Sequence, residues 1–305
     1  MTKTAFIFPG QGSQFAGMGR DFYERYDTAR RYYDTACDIL GFDIKSISFG
    51  SDEDLLKDTR YTQPAVFILS VIISELLKEK NIIPDITAGH SLGEYAALVT
   101  AGVINFRDAL SIVKLRGEEM QKASEINCGT MAAILGLDCD RVEVICNRND
   151  AAGPVQVANY NSPLQTVISG VIDGVRSAMI DAKEAGAKIV KELSVSGAFH
   201  SHLMNPAVEP LKAELTKRDF RDAVIPVIPN VTAEPEISGE QLRSLLVKQV
   251  TSPVRWSDSV ETMKAYGVTR FIEAGPGKVL KGLVRSMNKE AIIQSIGTVD
   301  EFEEF

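Results

Sequence analysis

The pentapeptide Gly89-His90-Ser91-Leu92-Gly93 lies between a short apolar run and an alanine-rich one, and this junction constrains the fold more than any other part of the chain. Residues 81–87, Asn-Ile-Ile-Pro-Asp-Ile-Thr, read as a buried strand, and residues 94–101 favour a helix. Strand, sharp turn and helix make a nucleophile elbow. Its glycines let two backbone segments pass closely while the serine is held out at the helix N-terminus. Unpaired N–H groups there can stabilise an oxyanion. Ser91-Leu92-Gly93-Glu94 also fits a Ser-x-x-Glu capping box, a purely structural role. Glycines on both sides of the serine, with a strand before them, weigh the reading toward an exposed nucleophile.

Strand and helix signals alternate through the first 124 residues: strand at 4–8, helices at 28–40 and 63–80, strand at 84–87, then helices at 94–101 and 106–124. Such alternation predicts a largely parallel sheet covered on both faces. The pattern changes at about residue 125. A strand at 130–137, a helix at 141–152, strands at 155–159 and 166–170, a helix at 171–185 and a strand at 188–195 form a β-α-β-β-α-β order. That order is the ferredoxin-like pattern. The expected fold is therefore α/β. A large α/β-hydrolase-like domain (1–124 and 198–305) carries an inserted ferredoxin-like α+β subdomain at 125–197. Apolar strands at 224–228 and 268–272 belong to the large domain.

Composition removes several classes of function. A net charge of −8 with no long basic block argues against general nucleic-acid binding. Cys37, Cys128, Cys139 and Cys146 form no Cys-x-x-Cys pair and have no histidine at ligand spacing, so buried, reduced thiols are expected and no metal site. The longest apolar run, 65–73, is too short to span a bilayer, and no targeting segment is visible. A cytoplasmic protein without membrane contact is the expectation, with a monomer preferred. The acidic tail 300–305 reads as frayed and solvated.

A serine nucleophile needs a base, and the chain offers His90, His200 and His202. A tight elbow turns the side chain of His90 away from its neighbour Ser91. His200, in Gly197-Ala198-Phe199-His200-Ser201-His202, follows the return of the chain to the large domain and is the expected base, with His202 structural. No aspartate identifies itself as a third member. The loop Pro9-Gly10-Gln11-Gly12-Ser13-Gln14-Phe15 follows the first strand. It fails the Gly-x-Gly-x-x-Gly nucleotide pattern because Phe15 replaces the third glycine. At a strand's C-terminal end it is placed to face the elbow and supply a second oxyanion donor.

Gly-Gln-Gly-Ser-Gln near the N-terminus, Gly-His-Ser-Leu-Gly-Glu-Tyr-Ala-Ala, Gly-Ala-Phe-His-Ser and Glu-Ala-Gly-Pro-Gly occur in one chain, in this order. Together they closely resemble the malonyl-CoA:acyl carrier protein transacylases, from about Phe6 to Leu283. The resemblance implies a ping-pong reaction. Ser91 attacks the malonyl thioester of malonyl-CoA, His200 takes its proton, and the phosphopantetheine thiol of a holo-acyl carrier protein collects the malonyl group from the serine ester. No cofactor is implied. The main-chain amides of Gln11 and Leu92 match the oxyanion hole, and the main-chain carbonyl of Gln249 matches the group that orients the histidine. Arg116 matches the residue that grips the free malonate carboxylate, as a planar guanidinium can do through two parallel hydrogen bonds. Asn161 matches a substrate-site residue near the active histidine. Phe199, with Leu92, resembles the malonyl-selective form, although one methyl group is worth only about 1–3 kcal/mol of discrimination.

Three classes of function stay open on the residues alone: an acyl transferase, a hydrolase sharing Ser91 and His200, and a non-catalytic relative. The last is expected to lack one of those two residues. An acidic carrier protein also needs a local basic patch on this acidic chain. Lys188 and Lys191, or Lys278, Lys281 and Arg285, are candidates, and their alternative is ordinary solvated charge.

Overall fold

The run Ala5-Phe6-Ile7-Phe8 is apolar at every position because both of its faces are covered, as parallel strands require. In the computed structural model, which describes residues 2–148 and 152–305, this run lies in strand β1, Lys3–Phe8. The other strands among the described residues are β2 (Ile86–Gly89), β3 (Thr130–Leu135), β4 (Val155–Ser162), β5 (Gln165–Gly170), β6 (Ile189–Glu192), β7 (Val227–Ile228), β8 (Val268–Ala274) and β9 (Ile292–Ile296). They form two sheets. The first is parallel throughout, in the order β7-β2-β1-β8-β9.

Phe6 and Phe8 face a core shared with the helix Thr59–Glu79, whereas Ala5 and Ile7 face a second core around Trp256, Phe271 and Leu280. From β1 the chain leaves to β2 on one side of the sheet and is flanked by β8 on the other. The carboxyl ends of these strands thus meet at a topological switch point, where open α/β sheets bind ligands.

The second sheet has the order β4-β5-β3-β6 and is antiparallel. With helices Cys139–Arg148 and Ile172–Glu184 it realises the ferredoxin-like order read from the sequence. Residues 149–151, within the expected helix 141–152, lie outside the described residues. This sheet is joined to the main body at β4, where Val254 N–H donates to Ala158 O and Tyr160 N–H to Val254 O.

Several elements differ from expectation for identifiable reasons. The long helix begins at Thr59 instead of near Pro64, because the Asp58 side chain accepts from Arg60 N–H and starts it earlier. Pro64 then sits early in the helix, where its missing donor costs one bond. At 21 residues the helix is long and apolar enough to cross a membrane, but it is packed inside the protein core. The strand at 224–228 shrinks to two residues, since Pro226 cannot donate to a ladder and Val224 is exposed. Strand β9 and the tail were not anticipated. Val299–Glu303 is helical, and the Phe302 ring is buried edge-on against Phe22 and Tyr26. Cys128 is exposed instead of buried.

Candidate active site

The elbow is built by two glycines that nothing larger can replace. A Cβ on Gly89 would lie 1.9 Å from the Gly93 carbonyl carbon, and one on Gly93 would lie 2.1 Å from Phe8 O. The β2–helix junction therefore presses onto β1. Ser91 is left at a positive φ of 51°, the strained backbone of an elbow. Its main-chain N–H donates to Asn230 Oδ1 at 2.7 Å, and Asn230 Nδ2 donates to Gly89 O at 2.6 Å. The capping box does not form. Leu92 is the N-cap of the helix Gly93–Thr100, without a side-chain cap, and Ser91 Oγ points elsewhere.

Ser91 Oγ lies 2.7 Å from His200 Nε2. On the far side of the ring, His200 Nδ1 faces Gln249 O at 2.9 Å and Ser252 O at 3.2 Å. Carbonyl oxygens only accept, so Nδ1 carries the proton and Nε2 is left to accept from the serine hydroxyl. Two main-chain carbonyls thus stand where a triad has a buried carboxylate. Burial, followed by the positive charge of Arg116, pushes the His200 pKa down to about 3, against the opposing pull of the Gln249 carbonyl.

Arg116 projects from the helix Phe106–Ile126 and is 1% exposed. Its Nη1 donates to Gln63 Oε1 at 2.7 Å. Its Nη2 reaches Gln249 Oε1 and Ser91 Oγ, each at 3.1 Å, while Nε has no partner. The charge of buried Glu94 acts on it, and Glu94 Oε2 accepts from Gln249 Nε2 at 2.8 Å and from Asn230 N–H at 2.9 Å. Burial pushes Glu94 up to about 7, despite its bonds to Asn230 and Gln249 and the charge of Arg116.

Ser91, His200, Arg116, Gln11, Leu92 and Phe199 line one pocket of about 120 Å³. Strand β3 contributes Met131, and the segment after β6 contributes Leu193 and Val195. The reactive groups therefore lie between the carboxyl end of the parallel sheet and the ferredoxin-like sheet. An imidazole, a hydroxyl and a buried guanidinium converge there. Chemically, such a set can activate a hydroxyl as a nucleophile, and a buried guanidinium can meet an anionic group.

Asn161 is placed differently. Its Oδ1 lies 2.8 Å from Nε2 of His90, not His200, and it does not line the pocket. Asn159 does, after register shifts in β4 at Val157/Asn159 and Tyr160/Ser162. His90 packs beside the turn against Trp256, as the elbow geometry requires, and His202 Nδ1 meets Gln156 Oε1. Glu273, in the Glu-Ala-Gly-Pro-Gly motif, accepts from the N–H groups of Leu280 and Lys281 at the start of the helix Val279–Met287, and serves the fold. Sequence reading missed Gln63, Asn159 and Asn230. Glu94 entered it only as half of a possible capping box. Only Glu94 carried a signal, as a charged residue inside an otherwise apolar helix.

The acyl transferase domain family matches this chain over residues 5–300. The chain belongs to the acyl transferase family. The malonyl CoA-acyl carrier protein transacylase of Bacillus subtilis (strain 168) is 47% identical over 290 residues, covering 95% of this chain and 92% of that protein. An acyl carrier protein S-malonyltransferase from Vibrio cholerae superposes with a TM-score of 0.95 at 39% identity, covering 99% of each chain. A malonyl-transacylase solved in complex with a type II PKS acyl-carrier protein gives 0.95 at 38% identity, over 99% of this chain and 98% of that one. Like these solved structures, this acyl transferase combines a parallel sheet with a separate antiparallel one.

Proposed function

We propose that this acyl transferase moves a malonyl group from malonyl-CoA to the phosphopantetheine thiol of an acyl carrier protein, through an ester on Ser91. The observation that carries the reading is the meeting of Ser91 Oγ with both His200 Nε2 and Arg116 Nη2. His200, held in one tautomer by Gln249 O, removes the hydroxyl proton as Oγ attacks the thioester carbon. The main-chain N–H groups of Gln11 and Leu92 receive the oxyanion. The C–S bond breaks, and the imidazolium returns its proton to the CoA thiolate. The carrier thiol then reverses the sequence and regenerates the serine.

Arg116 holds the carboxylate at the far end of the acyl group, and Phe199 narrows the space beside it. No cofactor enters these steps, which the side chains and the two thioester partners complete between them. A hydrolase that clears acyl groups from carrier proteins would share Ser91 and His200 but would have less need for a buried guanidinium. The names of the relatives support both the substrate and the acceptor.

The test is the fate of the acyl group after malonyl-CoA and holo-acyl carrier protein are supplied in turn. Malonyl on the carrier thiol supports the reading. Free malonate with an unloaded carrier would mean a hydrolase.

A further inference from the structure

Arg116 is not waiting passively for a carboxylate. Its Nη2 lies on the nucleophile itself, 3.1 Å from Ser91 Oγ, while the same oxygen sits 2.7 Å from His200 Nε2. An arginine has five N–H donors in a fixed fork and no means of losing its charge. Here it rests on the neutral amide oxygens of Gln63 and Gln249 and on one hydroxyl, with Cζ 5.6 Å from the centre of the Tyr95 ring and Nε buried without a hydrogen-bond partner.

Two consequences for Ser91 run in the same direction. A lone pair of Oγ that must attack carbon is instead accepting a charged hydrogen bond. In addition, the neighbouring guanidinium opposes formation of the imidazolium that His200 must become when it takes the proton. The depressed basicity of His200, caused by burial and then by Arg116, agrees with this.

We propose that the contact between Arg116 and Ser91 restrains the nucleophile in the free enzyme, and that the carboxylate of a dicarboxylic acyl group releases it by drawing the guanidinium onto itself. The inference rests on the malonyl reading above and extends it. Discrimination against an uncharged acyl group then appears in the rate of Ser91 acylation as well as in binding. Binding energy from the non-reacting end of the substrate is realised at the reacting one. Gln63 and Gln249 are the positioning residues that hold the resting guanidinium at the right height to make both contacts.

In the restrained state an acetyl thioester leaves Arg116 on Oγ. When a separate small carboxylate fills the empty end of the subsite, the pieces of a dicarboxylic substrate are present without a bond between them. The acylation step is otherwise unchanged. The Oγ–acetyl bond forms, the C–S bond breaks, and the hydroxyl proton passes through His200 to the CoA thiolate.

The experiment measures acetylation of Ser91 by acetyl-CoA, with and without formate, by intact mass after rapid quenching. Chloride at equal ionic strength is the control, and malonyl-CoA loading is followed in parallel. Formate is expected to accelerate acetylation of the wild type by about tenfold, the scale of one pKa unit in the base. Arg116→Ala is expected to acetylate faster than wild type without formate and to ignore its addition. Absence of a formate effect in a wild type that loads malonyl normally would overturn the inference, whether or not the variant folds. Failure of the wild type to form any malonyl adduct would instead overturn the functional reading beneath it.

Discussion

Ser91 and His200 stand 109 residues apart in sequence, and both hold positive φ angles, 51° and 57°, to bring Oγ and Nε2 within 2.7 Å. A non-glycine residue in this region is costly, and two such residues facing each other mark backbone shaped for a site. General-base help from a positioned histidine is typically worth about 10²–10⁴-fold. His200→Ala should therefore slow Ser91 acylation by that range while leaving the fold intact, as read by single-turnover loading and circular dichroism. Loading at the wild-type rate would remove His200 from the chemistry.

Arg116→Ala should lower malonyl loading by about 30-fold or more, because truncating one partner of a buried charged pair costs about 2–5 kcal/mol. Uncharged acyl groups should gain ground relative to malonyl. Competition between malonyl-CoA and acetyl-CoA measures this directly, and a variant that kept the wild-type preference would contradict the carboxylate role.

The strand–elbow–helix unit was legible because its determinants are local: a short apolar run, two glycines and an alanine-rich helix. The ferredoxin-like order was legible for the same reason. What the sequence hid was set by distant partners. Glu94 looks like half of a capping box, yet its carboxylate turns inward to Asn230 and Gln249, 136 and 155 residues away. Asn230 and Gln63 carry no local signature, since an amide is polar punctuation until its partner is known. Asn161 lies at a register shift in β4 and meets His90 there, a placement that no periodicity records. The tail read as solvated from its charges, but Phe302 finds an aromatic pocket formed by Phe22 and Tyr26.

Glu94 gives a pH signature. Its folded pKa is raised to about 7 from the ordinary 4.5, chiefly by burial. Between those values the native state holds a proton that the unfolded chain has lost, so this group lowers stability as pH rises. Glu94→Gln removes the term. The stability difference between variant and wild type should move in the variant's favour from about pH 4.5 through about 7, measured by denaturant unfolding. A difference that is flat across this window would contradict a carboxyl buried in this state.

Gly93→Ala places a methyl carbon where Phe8 O already stands, 2.1 Å away, with backbone on both sides. A loss of about 2 kcal/mol or more is expected, in the range of severe core strain, and Tm reports it. An unchanged Tm would mean that the elbow does not press onto β1.

Lys188, just before β6, and Lys191, within it, are exposed, and among the described residues neither is in an ion pair, whereas Lys278 is held by Glu301. Charge reversal of both lysines should raise KM for the carrier protein several-fold and leave loading from malonyl-CoA alone unchanged. Unaltered carrier kinetics would move docking to another face, with Lys281 and Arg285 next in line.

The most direct test of the account is proteolytic mass mapping of the enzyme after brief exposure to malonyl-CoA with no carrier present. The account predicts one malonyl group, confined to the peptide bearing Ser91 and absent from Ser91→Ala. A malonyl group on another residue, or a wild type that turns over malonyl-CoA without ever carrying one, would contradict it.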